Sequence, residues 1–373
     1  MRIGIDGRAS KWYRGTGIGT YTYELIYNLN LIDTINDYLL FLPENSSFTS
    51  LSRNFTNKKV DENPNENFWE NVSLPNIIKN NDLDLYHIPQ NGVGLPTELS
   101  CKSVITLHDI IPLRMPETVS ERYKYIFHNN IPKIIDKVSG IITVSEFSKE
   151  DISKEFNYPK SRIYVTPLAA ENIYKPLDRS ICKSLLNKYY SLDKNFILYV
   201  GGFSPRKNII GLLEAFSKLK EKYKLPLSLV ITGKHGISYE IYKNKAISLN
   251  IDKDVLFPGF IPMEHMPIFY NSAEMLVYPS FYEGFGLPPL ESMACGTPVI
   301  ASNSTSIPEI LQDSAILINP QNINEIIDSM YNFLINKDLK NQYIVKGLSK
   351  SREYNWKNTA LKTLKAYTEI YNS

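Results

Sequence analysis

Two glutamates, Glu283 and Glu291, stand eight positions apart in the stretch FYEGFGLPPLESMACGTPVIAS, residues 281–302. Gly284 and Gly286 lie between them and offer bare backbone that a ligand can approach closely. Leu287 to Cys295 reads as a helix, with prolines tolerated in its first turn and Gly296 at its C-terminal cap. The start of such a helix carries unsatisfied N–H groups whose partial positive charge suits an anion. Glu291 is expected on the first helical turn and Glu283 before it. The two acids would then touch different parts of one extended ligand, with an anion between them. Carboxylates accept hydrogen bonds from hydroxyls, so the ligand reads as hydroxyls, diphosphate, hydroxyls, which is the layout of a sugar nucleotide. Each acid alone fits a plainer role, as a solvated loop acid or a helix-start acid beside the dipole. The combination E-G-F-G-L-P-P-L-E is far more specific.

Other residues fit the same ligand. SPRKN places Arg206 and Lys207 between a strand and a helix, where two cations would neutralise a diphosphate and stabilise charge as it leaves. RGTGIGT carries Gly15, Gly17 and Gly19, but does not fit G-x-G-x-x-G, and the loop from Asp6 is too long for the tight dinucleotide turn. His108 in TLHD and His87 in LYHIPQN each end an apolar strand; a lone histidine there is commonly structural, and for His87 that reading is preferred. Asp82 to Asp84 spells D-x-D, a pattern of metal-dependent transferases, but sits where a helix passes into a strand and is rejected as a site. Lys234 in ITGKHG ends a further strand and lies within reach of a diphosphate.

The elements that must position these residues follow from hydrophobic patterning. MRIGID, LDLYHIP, SVITLHD, GIITVSE and RIYVTPL read as strands separated by helical stretches, the first helix running from about Thr20 to Leu29. After the polar connection AENIYKPLDRSI the pattern restarts at NFILYVGG and continues through LSLVITG, VLFPGF, AEMLVYPS, TPVIAS and AILIN. Strand–helix alternation of this kind predicts α/β units with parallel sheets. At 373 residues two domains are expected. Open α/β sheets bind ligands at their strand C-terminal ends, and two domains leave a cleft. The tail YNWKNTALKTLKAYTEIYNS is helical, with Trp356, Ala360, Leu364 and Tyr367 at helical spacing.

Composition excludes several classes. A formal net charge of +2 gives no reason to expect nucleic acid. The three cysteines are scattered without metal-ligand spacing, as buried thiols of a reducing compartment would be. No apolar run approaches a membrane span, and MRIGIDGRAS enters a strand at its first residue, leaving no room for a signal peptide. A cytoplasmic location is therefore expected, and the sequons at Asn45, Asn54, Asn71 and Asn303 are read as chance. The basic-aromatic ERYKYIFHNNIPKIIDK is either a packed amphipathic helix with a solvated face, the commoner case, or a peripheral contact with the inner face of a membrane bearing a lipid-linked acceptor.

The glutamate segment resembles the E-x7-E motif of retaining GT-B glycosyltransferases of family four, and the likeness runs along nearly the whole chain. TGIGTYTYEL, TLHDIIPL, ITVSEFSKEDI, YVGGFSPRKNI, ITGKHG, FPGFIPMEHMPIFYNSA, GTPVIASNSTSIPEIL and YNWKNTA are similar to its successive segments. The resemblance implies two Rossmann-like α/β domains facing across a cleft. Residues 1–171 would bind the acceptor, 172–194 would link, 195–350 would hold the nucleotide sugar, and 351–373 would form a helix crossing back to the first domain. It further implies that Gly17, Ile18 and Gly19 face the donor, where side chains would collide, and that His108 contacts donor sugar or acceptor. Glu283 would orient sugar hydroxyls and Glu291 the ribose. Arg206, Lys207, Lys234 and the helix start at Gly284, Phe285, Gly286 and Leu287 would meet the diphosphate, and Phe260 and Ile261 the base. Many members carry arginine where this chain has Gly202, so Arg206 and Lys207 must hold the phosphate charge without it.

The implied reaction is retaining transfer of a hexose from a nucleotide diphosphate sugar to a glycan or lipid-linked hydroxyl, without metal or other cofactor. The opening segment and HDIIPLRMPE resemble members acting on cell-surface polysaccharide, some using mannose donors. A sugar-nucleotide epimerase, a phosphorylase and a non-catalytic sugar-binding protein are the alternatives. The phosphorylases of this fold that use pyridoxal need a lysine in a context not found here.

Overall fold

Strands of four or five residues such as Leu85–Ile88 and Phe196–Val200 are apolar almost throughout and buried along nearly their whole length. A strand covered on both faces needs this pattern, and both faces are covered only when helices lie above and below a parallel sheet. The structure is a computed structural model and describes residues 1–43, 47–60, 74–96, 98–234, 236 and 239–373. Its chain forms two units. The first comprises Met1–Pro116, Ser120–Leu168 and Asn355–Ser373, the second Glu117–Val119 and Ala169–Tyr354.

The first unit holds a seven-stranded parallel sheet. Its strands are β1 (Arg2–Asp6), β2 (Asp37–Pro43), β3 (Phe55–Val60), β4 (Leu85–Ile88), β5 (Lys102–Thr106), β6 (Gly140–Thr143) and β7 (Ile163–Val165), in spatial order β3-β2-β1-β4-β5-β6-β7. Strands β2 and β3 were not anticipated from the patterning. The strand order reverses between β1 and β4, which makes the crevice at their C-terminal ends a topological switch point. Helix Gly17–Ile32 follows β1; Thr16 caps it by accepting from the Gly19 N–H at 3.3 Å. It begins three residues earlier than expected. The Asp82–Asp84 segment lies at the N-terminal end of β4, opposite the ligand-binding end, and the Arg2 N–H donates to Asp84 Oδ2 at 2.7 Å.

Helix Trp356–Asn372 belongs to this unit and packs on helix Gly17–Ile32 and strands β5 to β7. Asn355 caps it, and the Thr359 hydroxyl donates to the Pro167 carbonyl. Its buried stripe is Trp356, Thr359, Ala360, Thr363, Ala366, Tyr367 and Ile370, while the expected Leu364 is half-buried. The helix before it, Lys337–Glu353, runs into the segment expected to open the tail.

The second unit holds a six-stranded parallel sheet. Its strands are β8 (Phe196–Val200), β9 (Ser228–Thr232), β10 (Val255–Gly259), β11 (Met275–Tyr278), β12 (Val299–Ser302) and β13 (Ile316–Ile318), ordered β10-β9-β8-β11-β12-β13. Here the order reverses between β8 and β11. Residues 172–194, read as a connection, contain the helix Arg179–Tyr190, which packs on helix Met266–Ser272 of the same unit. Its amphipathic period was hidden by the polar residues that flank it.

Among the sequons, Asn45 and Asn71 lie outside the described residues. Asn54 spends its side-chain amide on the carbonyls of Asp33 and Asn36, at 2.9 and 2.7 Å.

Candidate functional site

The loops after β8 and β11 converge at the switch point of the second sheet. After β8 the chain turns through Pro205–Lys207 into helix Ile209–Tyr223. Asn208 takes the left-handed conformation at φ 55°, tolerated by its short polar side chain, and its Oδ1 accepts from the Gly211 N–H. That turn aims Arg206 and Lys207 at the loop after β11. The Phe281 N–H donates to the Arg206 carbonyl at 2.7 Å and ties the two loops together.

Glu283 receives both cations. Lys207 Nζ donates to Glu283 Oε1 at 2.5 Å and to the Tyr278 hydroxyl at 2.7 Å. Arg206 Nη1 lies 3.0 Å from Glu283 Oε2 and donates to the Tyr282 carbonyl at 2.9 Å. Glu283 is 6% exposed and Lys207 7%, so water screens the cluster little. Burial alone would raise the Glu283 pKa, but Arg206 and Lys207 outweigh it and hold the carboxyl down at about 2. Burial, then the nearby Glu283 charge, keeps the Tyr278 phenol protonated and able to donate.

The Glu283 backbone is fixed from the loop after β12, which sequence reasoning passed over. Its N–H donates to Thr305 Oγ1 at 3.0 Å, and the Ser306 hydroxyl donates to the carbonyls of Glu283 and Phe285, at 2.9 and 3.2 Å. Gly286 then precedes helix Leu287–Ala294 with φ 106°, and a Cβ there would lie 2.6 Å from Ile307 Cδ1. The backbone conformation calls for glycine, while the Ile307 methyl could shift to make room. No side chain caps this helix. Gly284 and Gly286 are buried and Leu287 is half-buried. Phe285 is 4% exposed and sets its ring against Tyr354, so its side chain is a packing group rather than a ligand contact.

Glu291 differs from expectation. It lies beyond the first turn of its helix, which carries no acidic residue, so the helix dipole does not account for it. Its Oε2 accepts from the Tyr270 hydroxyl at 2.7 Å. Burial raises its pKa to about 7; hydrogen bonds from Tyr270 and Tyr174 oppose the rise, and the Glu171 charge adds to it. The second acid stands in its own tyrosine-rich surround. Tyr270, Tyr174 and Glu171 carried no local signal, because they come from distant segments.

The remaining residues of the second unit take the ligand end of its sheet. Lys234 follows β9 and is exposed. Phe260 follows β10 and is 57% exposed, whereas Ile261 is 5% exposed and offers only backbone. A Cβ at Gly202 would meet nothing within 4 Å, so the missing arginine is not excluded by crowding.

In the first unit, His108 lies just past β5 and is 7% exposed. Its Nε2 stands 2.9 Å from the Pro89 carbonyl and must donate, which leaves Nδ1 as the acceptor nitrogen. Burial lowers its pKa to about 4, so the ring is neutral at physiological pH. His87 is buried inside β4 and bonds by both nitrogens, to Tyr367 at 2.6 Å and Thr106 at 2.8 Å. It joins the last helix to the sheet and is structural. Gly17 is exposed, Ile18 half-buried and Gly19 buried. A Cβ on Gly19 would collide with the Tyr13 carbonyl and the Arg14 nitrogen, so its lack of a side chain serves the chain's own loop rather than a ligand.

A cation pair and a carboxylate thus meet at the switch point of a parallel sheet, beside a helix start without a side-chain cap. Two α/β units of this kind are the architecture of GT-B glycosyltransferases. The chain belongs to the family four glycosyltransferases: residues 44–170 match Glycosyltransferase Family 4, and residues 187–349 match Glycosyl transferases group 1. It is 31% identical over 380 residues to O-antigen chain mannosyltransferase B of Escherichia coli, covering 95% of this chain and 96% of that one. It is 27% identical over 297 residues to the serotype-specific mannosyltransferase WbdA of Escherichia coli, covering 77% of this chain and 36% of that longer protein. In fold it is similar to a sucrose-phosphate synthase from Thermosynechococcus elongatus, with TM-score 0.78 and 20% identity over 100% of this chain and 99% of that one. WaaG, a glycosyltransferase involved in lipopolysaccharide biosynthesis, has TM-score 0.73 and 14% identity over 99% of both chains.

Proposed function

We propose that this glycosyltransferase moves a mannosyl residue from a nucleoside diphosphate sugar to a hydroxyl of a growing surface polysaccharide, with retention at the anomeric carbon. The pairing of Glu283 with Arg206 and Lys207 carries the reading of the donor site. The E. coli relatives named as mannosyltransferases support the choice of sugar.

Arg206 and Lys207 hold one Glu283 oxygen each, which fixes the carboxylate that accepts from the sugar hydroxyls. Arg206 and Lys207 meet the diphosphate and stabilise the charge that grows on it as the glycosidic bond breaks. With that charge met by side chains and the start of helix Leu287–Ala294, the reaction proceeds without a metal. Glu291 accepts from the ribose hydroxyls, and Phe260 with the Ile261 backbone borders the base. The departing phosphate takes the proton of the acceptor hydroxyl on the face from which it leaves, which gives retention.

The first unit binds the acceptor, and His108 Nδ1 accepts from a sugar hydroxyl. Within the segment 121–137, Arg122, Tyr125, His128 and Lys133 are exposed, which supports a peripheral contact with the cytoplasmic face of a membrane. Among the described residues no helix is long and apolar enough to cross one.

The test is a panel of GDP- and UDP-sugars incubated with mannose oligosaccharides, with nucleoside diphosphate release and product followed together. GDP-mannose turnover giving a new α-linkage by anomeric NMR supports the proposal. Release of an epimerised sugar nucleotide, or binding without turnover, overturns it.

A further inference from the structure

The turn after β8 and the end of β11 meet at one phenol. Along β11, Met275 and Val277 enter the same apolar cluster as Ile197 and Tyr199 of β8, so Tyr278, the last residue of the strand, faces the other side of the sheet. It is 1% exposed. Burying a hydroxyl is unfavourable unless it is hydrogen-bonded, and phenylalanine would fill the same space without that penalty. The partners of the hydroxyl account for it.

Those partners are the groups of the donor site. An ammonium only donates, so the Tyr278 oxygen accepts from Lys207 Nζ at 2.7 Å. The phenol then donates its own proton to the Glu283 carboxylate. Lys207 closes the triangle through Glu283 Oε1. Lys207 Nζ stands 4.9 Å from the Tyr278 ring centroid, well beyond the oxygen, so the contact belongs to the hydroxyl and not to the ring face.

The triangle holds Lys207 in two different ways. Glu283 holds it by charge, from a loop, and sugar hydroxyls that engage the carboxylate loosen that grip. Tyr278 holds it by a neutral group at the end of a strand paired on both sides, with β8 and β12. That second hold does not change when sugar arrives.

We propose that Tyr278 is a positioning residue of the donor site, which keeps Lys207 at the diphosphate while Glu283 turns to the sugar. This rests on the reading of the donor site given above. A nucleoside diphosphate without sugar leaves Glu283 on its cations and has little need of the phenol, whereas a sugar nucleotide depends on it.

The test uses the full chain with GDP and GDP-mannose, or with UDP and UDP-glucose if the wild type binds that pair instead. Tyr278→Phe keeps the ring and removes one oxygen. In calorimetry, below the melting range of every variant, Y278F is expected to bind the nucleoside diphosphate within about threefold of the wild type and the sugar nucleotide at least about tenfold more weakly. Its kcat should fall about 10- to 100-fold, the range for a hydrogen bond to a charged group. A phenol that only supports the fold would lower Tm and leave the ratio of the two affinities unchanged, and that result overturns the proposal. Lys207→Met supplies a second arm. Because Tyr278 acts through Lys207, adding Y278F to K207M should weaken sugar-nucleotide binding by less than about threefold more; a full further loss overturns the proposal. A wild type that binds none of the four ligands overturns the donor reading and this inference with it. Wild-type binding with an unchanged ratio in Y278F overturns the inference alone.

Discussion

Glu283→Gln removes the charge that balances Arg206 and Lys207 while keeping the shape of the side chain. In the folded protein the carboxyl is held at about 2, against an ordinary value of 4.5. That difference corresponds to about 3 kcal/mol, which agrees with the 3–5 kcal/mol typical of breaking a buried ion pair by removing one partner. The sign follows from linkage. A carboxylate whose folded pKa is depressed contributes stability that is complete above the unfolded value and is lost as pH falls through the folded one. The substitution should therefore cost about 3 kcal/mol at pH 7, and less than half of that, about 1.4 kcal/mol, at pH 3. For a unit of this size the neutral-pH loss corresponds to a fall of roughly 6–12 °C in Tm. The second unit contains no tryptophan, so calorimetry is the suitable assay for its melting. Below the melting range the variant should transfer about 100- to 1,000-fold more slowly, since the group proposed to orient the sugar has lost its charge. A Tm within about 2 °C of the wild type at pH 7 would refute the reasoning, as would an equal difference at both pH values.

Arg206→Ala should weaken GDP binding at least tenfold in calorimetry with little loss of stability, because its side chain is 19% exposed and Lys207 remains paired; unchanged binding would remove the phosphate assignment. Glu291 has a raised folded pKa, so its contribution is favourable below about 4.5 and lost as pH rises through about 7. Glu291→Gln should accordingly stabilise the protein by about 3 kcal/mol at pH 8 but not at pH 4, while weakening nucleotide binding. His87 and His108 are held neutral, with pKa values of about 3 and 4. The stability they lend the first unit is complete above about pH 6.5 and is lost as pH falls towards 4, and the kcat profile should show no ionisation of His108 between pH 5 and 8. Transfer should persist in excess EDTA; strict dependence on added divalent metal would count against the metal-free proposal.

What the chain wrote locally was readable from its residues. Alternating apolar strands and helical periods announced two parallel α/β units, because strands buried on both faces must be apolar throughout. The spacing of Glu283, Gly286 and Leu287 announced an acid ahead of a helix start, and SPRKN a basic turn after a strand. Pairing across the chain was not readable. That Lys207 meets Glu283 depends on β8 lying beside β11, a neighbour relation set by sheet order, and Thr305 and Ser306 enter only because β12 comes next. Glu291 was read as a first-turn acid at the other end of the ligand from Glu283, but it lies beyond that turn and its chemistry is set by Tyr270, Tyr174 and Glu171, which no spacing connects to it. Gly19 was read as room for a ligand, whereas its space is taken by Tyr13. Sequence determines which groups are available and which face of each element they occupy. Only the packing of distant elements decides which groups meet out of water, and that meeting sets their charge and their use.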